Sequence, residues 1–140
     1  MKGKKRIAVM VLAILGTLCM NGCRTNASGG ENTTVESAFM KISAEEAKEI
    51  MDSTADFVLI DVREEDEYAQ GHIAGALLVP YGEIADRADS ELVDKDQTIL
   101  VYCRSGRRSA IAAQTLAELG YTDVKDFGGI IDWPYDVEKD

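Results

Sequence analysis

One thiol and three guanidinium groups fall within six consecutive residues of this chain. The stretch Cys103-Arg104-Ser105-Gly106-Arg107-Arg108-Ser109 puts a cysteine at the head of a short basic loop containing a glycine. A thiolate, not a thiol, is the nucleophile, and cations and helix N-termini lower the pKa at which it forms. The flanking residues supply such a setting. Thr98 to Tyr102 is a β-branched, apolar run and predicts a strand ending at the cysteine. Arg108 to Leu119 places Ala112, Leu116 and Leu119 on one face and predicts a helix, with Gly120 at its C′ position. Ligands of open α/β sheets bind outside the carboxyl ends of strands. Loop N–H groups and a helix N-terminus there form an anion site. The pattern marks Cys103 as a covalent nucleophile. A buried core cysteine is the bland alternative, but such a residue has no reason to stand beside Arg104 and a glycine turn.

The rest of the chain must position that loop. Phe39 to Ile42 predicts a short first strand. Ser43-Ala44-Glu45-Glu46 reads as a capping box opening a helix to about Met51, with Ala47, Ile50 and Met51 inward. Phe57 to Ile60 is a continuous apolar run, expected of a strand covered on both faces. A short acidic helix is expected over Glu64 to Ala69, its Glu64 to Glu67 run being a solvated face. A loop over 71–76, a strand over Leu77 to Val79 and a helix over Tyr81 to Ala88 follow. Val124 to Phe127 predicts the last strand, and Gly128 to Trp133 a final helical piece with Trp133 in the core. Alternating strands and helices predict an α/β fold: a parallel sheet with helices on both faces.

The chain has 140 residues and a formal net charge of −10. Removing Lys2, Lys4, Lys5 and Arg6 leaves 11 basic against 25 acidic residues, a net −14. So acidic a body does not bind nucleic acid or an anionic membrane surface by charge. Met1 to Arg6 is a basic leader and Ile7 to Leu18 an apolar run too short to span a bilayer comfortably. Met20-Asn21-Gly22-Cys23 resembles a lipobox, although Met20 and Asn21 stand where Leu and a small residue are usual. Residues 1–22 are expected to be a lipoprotein signal peptide and Cys23 a lipidation site; a simply cleaved signal or an uncleaved anchor are the alternatives. Residues 23–37 then form a flexible tether and 38–140 the folded domain, exported and held at the outer face of a bacterial membrane.

Three motifs in order resemble those of single-domain rhodaneses, which are sulfurtransferases. Asp61-Val62-Arg63, Glu67-Tyr68, Gly71-His72-Ile73-Ala74-Gly75-Ala76 and Pro80 are similar to the family's N-terminal signature. Cys103 to Ser109 resembles its active loop, and Gly128-Gly129-Ile130 with Trp133 its closing motif. One departure is Leu78, where the family often has Asn. The resemblance implies a rhodanese-like, five-stranded parallel sheet flanked by helices and a persulfide on Cys103. It implies a small sulfur donor such as thiosulfate, and cyanide, a small thiol or a protein thiolate as acceptor. No cofactor or metal is implied.

Within the loop, Arg104 and Arg107 are expected to face the substrate, with the N–H groups from Arg104 to Arg108, Ser105 and Gly106 included, cradling the persulfide. Arg108 and Ser109 open the helix and either face the substrate or hold the loop. Asp61 and Arg63 read as an ion pair bracing a loop. His72, the lone histidine, reads as a local hydrogen-bonding residue and alternatively as a hydrolase base. The run from Arg63 to Glu67 does not make an EF-type calcium loop, and no P-loop, dinucleotide or zinc spacing occurs. Two rival functions remain. A cysteine phosphatase or arsenate reductase needs five residues between Cys and Arg, whereas four separate Cys103 from Arg108. A sulfur carrier or interaction module without turnover would use the same Cys103.

Overall fold

The computed structural model describes residues 38–139. The expected signal segment, the Cys23 lipidation site and the tether lie outside the described residues. The elements are β1 (Met40–Lys41), α1 (Ala44–Ser53), β2 (Phe57–Asp61), α2 (Glu65–Gln70), β3 (Leu77–Leu78), α3 (Ile84–Glu91), β4 (Thr98–Cys103), α4 (Arg107–Glu118) and β5 (Val124–Gly129), followed by a 3-10 turn at Ile130–Asp132. All strand pairs are parallel, in the order β1-β5-β4-β2-β3. This is the rhodanese-like α/β architecture that the sequence motifs imply.

Strand β4 is central, and its alternation divides the core. Ile99, Val101 and Cys103 face α3 and α4, packing with Ile84, Ala88, Ala112, Ala113 and Leu116. Leu100 and Tyr102 face the other way, with Ala47 of α1, Phe127 and Trp133. Ile99 to Tyr102 are fully buried, and each large apolar side chain so buried contributes about 1.5–3 kcal/mol. Both ends of the functional loop are thus fixed, by the sheet's middle strand before it and by a helix seated on that strand after it.

Local signals explain several boundaries. The Ser43 hydroxyl accepts the Glu46 N–H at 3.1 Å, and Glu46 Oε2 accepts the Ser43 N–H at 2.7 Å, completing the capping box of α1. Gly120 ends the α4 region at φ +93°, a left-handed backbone that favours glycine. Other elements differ from expectation. The third helix starts at Ile84, not Tyr81, because Pro80 to Glu83 closes a turn through Glu83 N–H to the Pro80 carbonyl at 2.8 Å. The final helical piece is only the single 3-10 turn. Strands β2, β4 and β5 run on to Asp61, Cys103 and Gly129, so the ladder reaches the site itself.

Candidate active site

Cys103 is the last residue of β4 and is 1 % exposed. Its sulfur is nevertheless in a polar cradle. The Gly106 N–H donates to Sγ at 3.0 Å, and the S–H donates to Ser109 Oγ at 3.6 Å. The Ser109 hydroxyl is in turn 3.1 Å from the Gly106 carbonyl and 3.3 Å from that of Gly128, either of which can accept its proton. Gly106 adopts φ +96°, which turns the chain back over the sulfur at no Cβ cost. Burial pushes the thiol's pKa up. The Ser109 hydroxyl and the N–H groups of Ser109, Gly106 and Ser105 outweigh it and hold the thiol below its ordinary range. Amides and a hydroxyl are thus the largest contributors to stabilising the thiolate, and one guanidinium adds to them. Arg108 is the arginine whose own pKa is raised in part by the charge on Cys103.

The loop leans on β5, and a bulge makes room for it. Val101 pairs with Asp126 but Cys103 pairs with Gly129, so β5 carries one extra residue there. Asp126, buried, accepts the Gly128 N–H at 3.0 Å and fixes the bulge. A Cβ at Gly129 would fall 2.2 Å from the Arg104 carbonyl oxygen and 2.6 Å from Ser105 Cα. Only a residue without a side chain lets the loop lie this close. The Ile131 N–H then donates to the Arg104 carbonyl at 3.2 Å.

Arg104 and Arg107 are exposed, and among the described residues neither makes an ion pair. Arg108 differs. Its Nη1 and Nη2 donate to Glu67 Oε2 and Oε1 at 2.6 and 2.8 Å. Hydrogen bonding from Arg108 holds the Glu67 carboxyl down at about 2, and the same pairing raises Arg108. Glu67 also accepts the Glu64 N–H at 3.1 Å. The reading of Glu64 to Glu67 as a solvated face is therefore corrected at Glu67: its side chain is 23 % exposed and tied to the loop.

Asp61 and Arg63 form a buried pair. Arg63 Nε donates to both carboxylate oxygens at 2.9 and 3.0 Å, and Nη2 donates to Oδ2 at 2.5 Å. Nη2 also donates to the Gly71 carbonyl at 2.8 Å, joining the end of β2 to the loop over 71–76. His72 stacks on Tyr68 at 3.8 Å between centroids, its Nδ1 3.1 Å from the Tyr68 carbonyl. Its backbone bridges to Glu138. Neither ring nitrogen of His72 bonds to Cys103. Tyr102 crosses to the far face, where its hydroxyl accepts the Ile73 N–H at 3.1 Å.

The loop's outer side opens into a depression of about 370 Å³ lined by Tyr81, Arg104, Ser105, Arg107, Arg108 and Ile111. It offers cationic walls with two apolar edges, chemistry suited to a small anion carrying an organic or sulfur body. No group of metal-ligating side chains occurs among the described residues. Glu67 and Gly129 also belong to the site; both lie within the sequence motifs, but nothing local in the sequence marks them as touching the loop.

A five-stranded parallel sheet with this cysteine loop is the architecture of the Rhodanese-like domain family, whose pattern matches residues 43–134. The chain belongs to that family. It is 42 % identical over 73 residues to thiosulfate sulfurtransferase PspE of Escherichia coli K12, an alignment spanning 52 % of this chain and 70 % of that protein. It is 38 % identical over 96 residues to thiosulfate sulfurtransferase GlpE of Coxiella burnetii, spanning 68 % and 87 %. Among solved structures, a rhodanese with anions from E. coli superposes with a TM-score of 0.57 at 38 % identity, covering 60 % of this chain and 99 % of that one.

Proposed function

We propose that this protein is a sulfurtransferase that carries sulfane sulfur as a persulfide on Cys103. The observation that carries the reading is the Gly106 N–H aimed at Sγ from 3.0 Å, in a loop whose amides and Ser109 hydroxyl favour the thiolate. Relatives named thiosulfate sulfurtransferase support it. In the first step the Cys103 thiolate attacks the outer sulfur of thiosulfate. The S–S bond of the donor breaks, its electron pair leaves with sulfite, and Cys103–S–S⁻ remains. In the second step an acceptor nucleophile, cyanide or a thiolate, attacks the terminal sulfur and releases the Cys103 thiolate. Both steps conserve charge and need no oxidant. Such a double displacement gives ping-pong kinetics.

Arg104 and Arg107 line the mouth and meet the donor's oxyanion end; the amides meet the sulfur end. Asp61, Arg63 and His72 hold the neighbouring loop. The basic and apolar opening of the chain supports export, with a lipid on Cys23 tethering the domain to the outer face of a bacterial membrane.

Intact mass after incubation with thiosulfate tests the reading. One added sulfur atom is expected, removable by cyanide with release of thiocyanate, and none in Cys103→Ser. Sulfur loading of that variant refutes the assignment. Steady-state thiocyanate release then separates a turning-over enzyme from a carrier loaded once.

A further inference from the structure

Arginine's planar fork matches a tetrahedral oxyanion with two parallel N–H bonds, and Arg108 lines the mouth of the loop within reach of the sulfur's charge. A free guanidinium there would be the strongest oxyanion ligand of the site. It is not free. Nη1 and Nη2 each give one N–H to an oxygen of Glu67, so the end of the fork is taken and its charge is paired, leaving Nε and one N–H on each Nη. The carboxylate is itself fixed by the Glu64 N–H, and the two side chains are only 24 % and 23 % exposed. Arg104 and Arg107 are left as the mouth's uncommitted cations, both exposed.

We infer that Glu67 sets the specificity of the site: by occupying the end of the Arg108 fork and pairing its charge, it weakens the loop's grip on tetrahedral oxyanions such as phosphate. The inference rests on the sulfur-transfer reading of the loop and deepens it. Thiosulfate has two ends. Transfer needs its outer sulfur toward Sγ and its oxygens outward, where Arg104 and Arg107 stand. An unmasked Arg108 would draw the oxygens inward, favouring an inverted donor and any sulfate or phosphate present. Glu67 is a positioning residue, acting on the donor through Arg108.

The test reads phosphate binding without needing sulfur transfer. The inorganic phosphate concentration that half-protects Cys103 from iodoacetamide is measured for the parent, for Glu67→Gln, and for Glu67→Gln with Arg108→Gln. Freeing one charged fork should lower that concentration roughly tenfold in Glu67→Gln, and the double variant should return to the parental value. The single variant should also show a lower KM for thiosulfate together with a lower kcat, the mark of unproductive binding. Unchanged protection in a folded Glu67→Gln protein overturns the inference. If that variant does not fold, the double variant decides. Parental protection supports the inference; protection weakened roughly tenfold means Arg108 already grips phosphate and overturns it. Absence of sulfur loading in the parent would instead sink the proposed function and leave the phosphate result standing.

Discussion

Gly129→Ala isolates one geometric demand of the site. The residue has φ −121° and ψ 146°, an extended backbone any amino acid adopts, so the substitution introduces no torsional strain. Its whole effect comes from one methyl group. That carbon would stand 2.2 Å from the Arg104 oxygen and 2.7 Å from the Arg104 carbonyl carbon. Ordinary contacts begin at 3.4 Å, so the loop and β5 must separate by more than about 1 Å. Both are anchored, the loop by β4 and α4 and β5 by its pairing with β4. The loop's first turn is the part free to yield, and it carries the Ser105 and Gly106 amides off the sulfur. A misplacement of that size costs about 100-fold in rate, with an overpacking cost of about 1–3 kcal/mol in stability. The assay is the rate of sulfur loading from thiosulfate, read by intact mass, beside a thermal melt. A folded Gly129→Ala protein that loads within roughly threefold of the parent would refute the claim that this close approach aims the amides.

Three further outcomes are expected. Ser109→Ala removes the hydroxyl that does most to hold the thiolate, so the pH profile of Cys103 alkylation should move to the alkaline side; a profile unmoved assigns the effect to the amides alone. Asp61→Ala leaves the buried Arg63 guanidinium without its carboxylate. Urea denaturation should show a loss of about 3–5 kcal/mol, and a loss below about 1 kcal/mol would mean the pair is not what braces the loop. Glu67, held down at about 2 when folded against an ordinary 4.5, binds its proton more readily unfolded. Its contribution is therefore fully present above pH 4.5 and fades as pH falls toward 2. The parent should lose more stability over that window than Glu67→Gln, as followed by thermal melts.

What was legible in the sequence follows the range of the forces involved. Strand β4, the Cys103 loop and α4 announce themselves through local patterning, glycine placement and a change of period. The capping box at Ser43 is equally local. The tie of Glu67 to the loop is invisible in the sequence because its partner lies 41 residues on, and an acidic run looks solvated until the fold brings a cation to one member. The bulge at Gly128 and the contact between Gly129 and Arg104 are likewise products of two segments meeting. Glycines mark that something approaches them, not what. The late start of α3 has a short-range cause, the Pro80 turn, which competes with helical periodicity over the same residues.

The sulfur of Cys103 belongs to a residue only 1 % exposed. On the persulfide reading, a second sulfur would extend that side chain by about 2 Å. Under the proposed chemistry, the resting protein keeps its sulfur out of solvent, and loading adds the further atom that an acceptor must reach.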